Sequence, residues 1–141
     1  MTPQPFTQAM DDKQAVRDLI EQAVQALQSD HFDDYLDLFT DDAVWMLPSR
    51  FQDIGIDEAR TFYGFNEKFQ FEQQLTIDEI MVAGDWAFAR ISLDGHLRAK
   101  SDLQAAPLRS ISRHMWILQR QQDGCWMIAR DIWNNPKSTE E

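Results

Sequence analysis

Two side chains able to move a proton, His114 and Asp131, lie in neighbouring segments that alternate like strands near the end of the chain. Between them Asp123-Gly124 is the strongest turn signal in the sequence. A two-residue turn there sets Leu118 opposite Ala129, Trp116 opposite Asp131 and His114 opposite Trp133, all on one face. His114 and Asp131 become diagonal neighbours, close enough to couple directly or through one water. A carboxylate beside an imidazole fixes its tautomer and orientation, which suits general acid–base work. Framed by the indoles of Trp116 and Trp133, the pair has the make-up of a small-molecule site, apolar walls with a few convergent polar groups. The same two residues also read as a buried, hydrogen-bonded pair with a purely structural role, or with Asp131 meeting an arginine from elsewhere.

Other chemistries fare worse. His31, His96 and His114 fall in no metal-ligand spacing, and five glycines include no phosphate-binding loop, so neither a metal nor another cofactor is implied. Cys125 stands alone, which excludes an internal disulfide, and it lacks an evident base. The net charge of −11 is concentrated early. Residues 1–72 carry 15 acidic and 5 basic side chains, against 9 and 8 in residues 73–141. Such a field repels phosphate backbones and argues against nucleic acid. Residues 1–10 lack a basic start and an apolar stretch, and no apolar run approaches a membrane span, so a soluble cytoplasmic domain is expected.

The elements that must position the pair can be read from periodicity. Val16, Leu19, Ile20, Ala23, Val24 and Leu27 form one apolar stripe, predicting a helix over 12–28 capped by Asp11. Asp30 is the expected cap of a short second helix with Phe32, Tyr35, Leu36 and Phe39 on its apolar face. Thr40-Asp41-Asp42 reads as a turn, Ala43–Leu47 as a strand stopped by Pro48, and a third helix starts at Asp57. From Phe71 the pattern is strand. Its phase slips near Asp78-Glu79, which predicts a bulge, and Gly84-Asp85 predicts a hairpin with Val82 opposite Ala87 and Glu79 opposite Arg90. Long strands follow from about Arg109 to Gln121 and from Cys125 to Asn134.

The chain is therefore expected to hold a flexible segment 1–10, one α+β domain over 11–135 and a polar tail 136–141. Opposite the His114 face, the last hairpin carries Arg113, Met115, Ile117, Gln119, Ile128, Arg130 and Ile132. Both faces are thus substantially apolar, and three helices can cover only one. A second copy of the chain is the economical cover for the other, so a homodimer through the outer sheet face is expected.

The order of elements resembles the nuclear transport factor two-like superfamily, above all its SnoaL-like branch. The likeness rests on Thr40-Asp41-Asp42-Ala43-Val44-Trp45, on the stretch Gly55 to Tyr63 and on Asp123 to Asn134, and it spans roughly residues 11–135. It implies three helices packed on a curved, mostly antiparallel sheet, a cone-shaped half-barrel with an internal pocket, commonly dimeric. It also implies a pocket near Trp45, Leu47, Phe62, Tyr63, Trp116 and Trp133, although Trp45, Trp86 and Trp126 suit core or interface positions as well. The superfamily includes ketosteroid isomerases, cyclases, dehydratases, epoxide hydrolases and association domains, so fold does not carry function. The three acid–base positions of the isomerases fall on Ala23, Leu47 and Trp116, which cannot do that chemistry. SnoaL-like cyclases use an aspartate of the late strands, and Asp131 is its nearest counterpart. The resemblance leaves two roles open: an acid–base enzyme of isomerase, cyclase, dehydratase or hydratase type acting on an apolar or polyketide-like molecule, or a non-catalytic ligand-binding or dimerisation module.

Overall fold

The computed structural model describes residues 5–66 and 68–137, with side chains for 10–62 and 68–137. Three helices come first, α1 (Pro5–Gln28), α2 (Phe32–Leu36) and α3 (Ile56–Asn66), with β1 (Phe39–Met46) between the second and third. Four long strands follow: β2 (Phe69–Ala83), β3 (Trp86–Ala99), β4 (Leu108–Arg120) and β5 (Trp126–Asn134). They form one open sheet in the order β1-β5-β4-β3-β2, antiparallel except for the parallel β1–β5 pair. The sheet is curved, and the helices pack against its inner face.

The apolar stripe of α1 is buried as its spacing demands, from Val16 through Leu27. The helix, however, starts at Pro5, ahead of the expected start at residue 12. Proline tolerates a first helical turn because its missing N–H would have no partner there. Asp11 is thus an interior residue and not a cap. Asp12 beside it is buried, and Arg120 at the end of β4 donates to both its carboxylate oxygens, at 2.8 and 2.6 Å. Asp30 likewise does not cap α2. It closes α1, with φ of 64° while the His31 N–H donates to the Ala26 carbonyl, the Schellman arrangement that an aspartate can supply in place of glycine. Phe39 and Thr40-Asp41-Asp42 belong to β1, not to a helix face and a turn, because Phe39 already pairs with Ile128.

The long strands follow the sequence closely. Val82 faces Ala87, Glu79 faces Arg90, and the register shifts between Ile77 and Glu79, so that Ile77 and Ile80 both point inward past the bulge. The last hairpin differs in one respect. Trp116 meets Asp131 and His114 meets Trp133, but Leu118 meets Ile128 instead of Ala129. The turn is wider by one residue, with Gln121 donating to the Cys125 carbonyl, and a bulge at Ala129 restores the register. The bulge turns Ile128 into the core, where it is fully buried, and so removes it from the outer face.

That outer face is otherwise as apolar as expected. Met81 faces Phe88, Phe88 faces Ile117, and Met115 faces Ile132, which in turn faces Met46. Met46, Met81, Trp86, Ile117 and Ile132 are exposed. No helix among the described residues is long and apolar enough to cross a membrane.

Candidate functional site

Strand alternation places Ser110, Ser112, His114 and Trp116 on the inner face of β4, while Asp131 and Trp133 occupy the inner face of β5. His114 Nδ1 lies 2.9 Å from Asp131 Oδ1, and the Asp131 side chain has no exposed surface. His114 Nε2 lies 2.8 Å from Ser112 Oγ. The imidazole is thus held at both nitrogens, and its side chain is 8% exposed. With Nδ1–H donating to the carboxylate, Nε2 accepts from the serine hydroxyl, which gives a continuous chain Ser112–His114–Asp131. The Trp133 ring stacks on the imidazole, with centroids 5.1 Å apart, and fixes its plane.

Ser112 and His114 line a cavity of about 190 Å³ between the sheet and the helices. Leu27 of α1, Phe62 of α3, Phe71, Leu93, Leu97 and Trp133 supply its apolar walls. Its other polar groups are Gln73, Ser110 and Asn135. The Gln73 side-chain amide donates to Ser110 Oγ at 2.9 Å, reaching across Gly95, which lies between them in the sheet. The Gln73 backbone N–H donates to Gln28 Oε1, which ties this wall to the end of α1.

The expected pocket residues divide. Phe62 and Trp133 line the cavity with His114, their rings 6.4 Å apart. Trp116 is buried behind it, edge-on to His114. Trp45 and Leu47 are core residues, with Trp45 stacked on Phe39 at 4.5 Å. Tyr63 lies in α3, and its side chain is outside the described residues. Ser112 and Gln73 escaped the sequence reading, although Ser112 was within reach of it. Two residues before His114 on a strand means the same face and a neighbouring position. Gln73 carried no such signal, because its contact depends on the order of three strands.

The carboxylate has a second feature. Asp131 Oδ2 is buried without a protein partner among the described residues. In register, Asp131 stands between Trp45 on β1 and Trp116 on β4, whose indole N–H groups are likewise buried and unpartnered. A buried carboxylate with one free oxygen is costly to keep, which is more typical of functional positions than of core packing.

An open, curved sheet wrapped on one side by three helices, with polar groups converging in an apolar cavity, is the cone-shaped nuclear transport factor 2-like architecture. Within that class the chain belongs to the SnoaL-like domain family, whose model matches residues 20–127. Among solved structures, a ketosteroid isomerase-like protein from Erwinia carotovora is similar at 22% identity and a TM-score of 0.79, over 90% of this chain and 98% of that one. A conserved protein from Planctomyces limnophilus is similar at 24% identity and a TM-score of 0.82, with the same coverage. A nuclear transport factor 2-like protein of unknown function from Pseudomonas putida is 18% identical, with a TM-score of 0.67, over 93% of this chain and 91% of that one. At these identities the likeness shows the fold. No curated protein matches the chain in sequence.

Proposed function

We propose that the protein is a small-molecule pocket enzyme in which His114 and Asp131 act as an acid–base pair on an apolar or polyketide-like ligand. The observation that carries this reading is the 2.9 Å contact between His114 Nδ1 and the wholly buried Asp131 carboxylate, at the wall of an apolar cavity. The imidazole would exchange a proton with the ligand and the carboxylate would stabilise its charged form. Isomerisation, cyclisation, dehydration and hydration all need that exchange and no further cofactor. The cavity volume suits a compact ligand of one or two rings, packed against the joined Phe62 and Trp133 rings. Native mass spectrometry of freshly purified protein, followed by extraction under denaturing conditions, should release a small apolar molecule and so name the substrate class. An Asp131→Asn variant that keeps fold, affinity and turnover of that molecule would remove the pair from the mechanism.

A second reading, a non-catalytic ligand-binding or dimerisation module, is favoured by the exposed outer face. Met81, Trp86, Ile117 and Ile132 are large apolar side chains exposed on that one face of the sheet. A second copy of the chain packed on that face would cover it. Both readings share the dimer and part at the cavity, where Asp131→Asn decides between them.

A further inference from the structure

The geometry points to Ser112 as an activated nucleophile: the cavity would also catalyse acyl transfer from small apolar esters with good leaving groups. The inference rests on His114 and Asp131 being a proton-transferring pair, and it adds a covalent step that the pair alone does not provide. Three observations carry it. Ser112 Oγ is 2.8 Å from His114 Nε2, and His114 Nδ1 is 2.9 Å from Asp131 Oδ1, so a hydroxyl, a base and the group that orients the base stand in line. Ser112 lines the cavity beside His114, so its hydroxyl and the base that would activate it belong to one wall of the same pocket. Phe62, Phe71, Leu93 and Trp133 supply apolar walls in the same cavity, which suits an aromatic ester.

In the step proposed, Ser112 Oγ attacks the ester carbonyl carbon and forms the new O–C bond while its proton passes to His114 Nε2. The bond from that carbon to the leaving oxygen breaks, and the phenol departs with the proton from His114. Water, deprotonated by His114, then attacks the acyl-serine. The acid is released and Ser112 regains its proton. Asp131 keeps the Nδ1–H tautomer throughout and faces the imidazolium when it forms.

The test is incubation of the intact protein with p-nitrophenyl acetate, followed by intact-mass and peptide mass spectrometry. The expected result is one acetyl group on Ser112, a burst of nitrophenol matching the protein concentration, and an acylation rate that falls about 10²-fold or more in Asp131→Asn. Ser112→Ala should abolish the adduct. No acetyl group on Ser112, or one placed on lysines or on His114 alone, overturns the inference, and because the decisive adduct is sought on the natural protein it does not depend on any variant folding. Carbethoxylation of His114 by diethyl pyrocarbonate separates the two readings. His114 should react faster in Ser112→Ala, where Nε2 is uncovered. If it does so while natural Ser112 takes no acetyl group, the nucleophile fails and the acid–base pair stands. If His114 is inert in both proteins, both readings fail.

Discussion

His114 and Asp131 meet through a single 2.9 Å contact between Nδ1 and Oδ1, across two strands whose register at this point is set jointly by the hairpin turn and the bulge at Ala129. Asp131 offers only acceptors when ionised, so it selects the tautomer with the proton on Nδ1. Asp131→Asn should therefore fold, lose about 1–3 kcal/mol of stability, and leave the imidazole free to populate both tautomers. Nitrogen-edited NMR of the His114 ring reads this directly. An unchanged ring spectrum would show that Asp131 does not orient the imidazole.

How much of this was legible in the sequence depends on the range of each contact. The stripe of α1, the bulge between Ile77 and Glu79 and the Glu79–Arg90 pairing follow from local periodicity and one turn, and the sequence alone was enough for them. His114 and Asp131 came together for the same reason. The one-residue slip at Ala129 was not legible, because Asp123-Gly124 suits a two-residue turn and nothing local reveals the wider loop. It happened to spare the site: the bulge lies on the turn side of Asp131, so Trp116 and His114 keep their partners. Asp12 was missed as a buried residue because its partner Arg120 lies 108 positions away. Asp30 was misplaced because an aspartate can either begin a helix or close one, and only the backbone dihedral distinguishes them.

Gly95 is a position where the site depends on an absent side chain. A Cβ there would overlap the carbonyl oxygen of Glu72 and come within 2.7 Å of Gln73 Cα. Neither is a flexible tip that could swing aside. Gly95→Ala should cost about 3 kcal/mol or more, by forcing β2 and β3 apart and pulling Gln73 off Ser110. Gly55→Ala, where a Cβ meets nothing within 4 Å, is the matched control. Urea unfolding of the two variants checks the contrast, and equal midpoints would refute it.

The outer sheet face gives a prediction about assembly. Ile117 sits at its middle, paired with Phe88 on one side and Arg130 on the other, and is 37% exposed in the single chain. If a second copy covers this face, Ile117→Lys buries a second cation beside Arg130 at the contact and should shift a dimer to monomer, while leaving the fold of each chain intact. Analytical ultracentrifugation of both proteins at micromolar concentration is the measurement. A monomeric natural protein would end the proposal before the variant is needed.

Arg120 is the clasp between the start of the chain and the end of β4. Its guanidinium holds both oxygens of Asp12, reaches Asp85 at 3.1 Å and lies 4.8 Å over the Trp126 ring. Hydrogen bonding to Asp12 comes first among the causes that raise its pKa above the ordinary arginine value, opposed by its partial burial. A group whose folded pKa is raised contributes stability in full below its unfolded pKa and loses it only as pH climbs through the folded value. The Arg120 contribution should therefore be flat from about pH 6 to about pH 10, unlike that of a histidine. Arg120→Met leaves Asp12 buried without this partner and should cost about 2 kcal/mol, discounted from the value for a fully buried pair because Arg120 is partly open to water. Arg120→Lys keeps the charge but loses the two-pronged contact and the stacking, and should fall between the two. Thermal melts of the three proteins across that pH range check both the order and the flatness. A gap between natural protein and Arg120→Met that closes near neutral pH would mean that another group, not Arg120, carries the clasp.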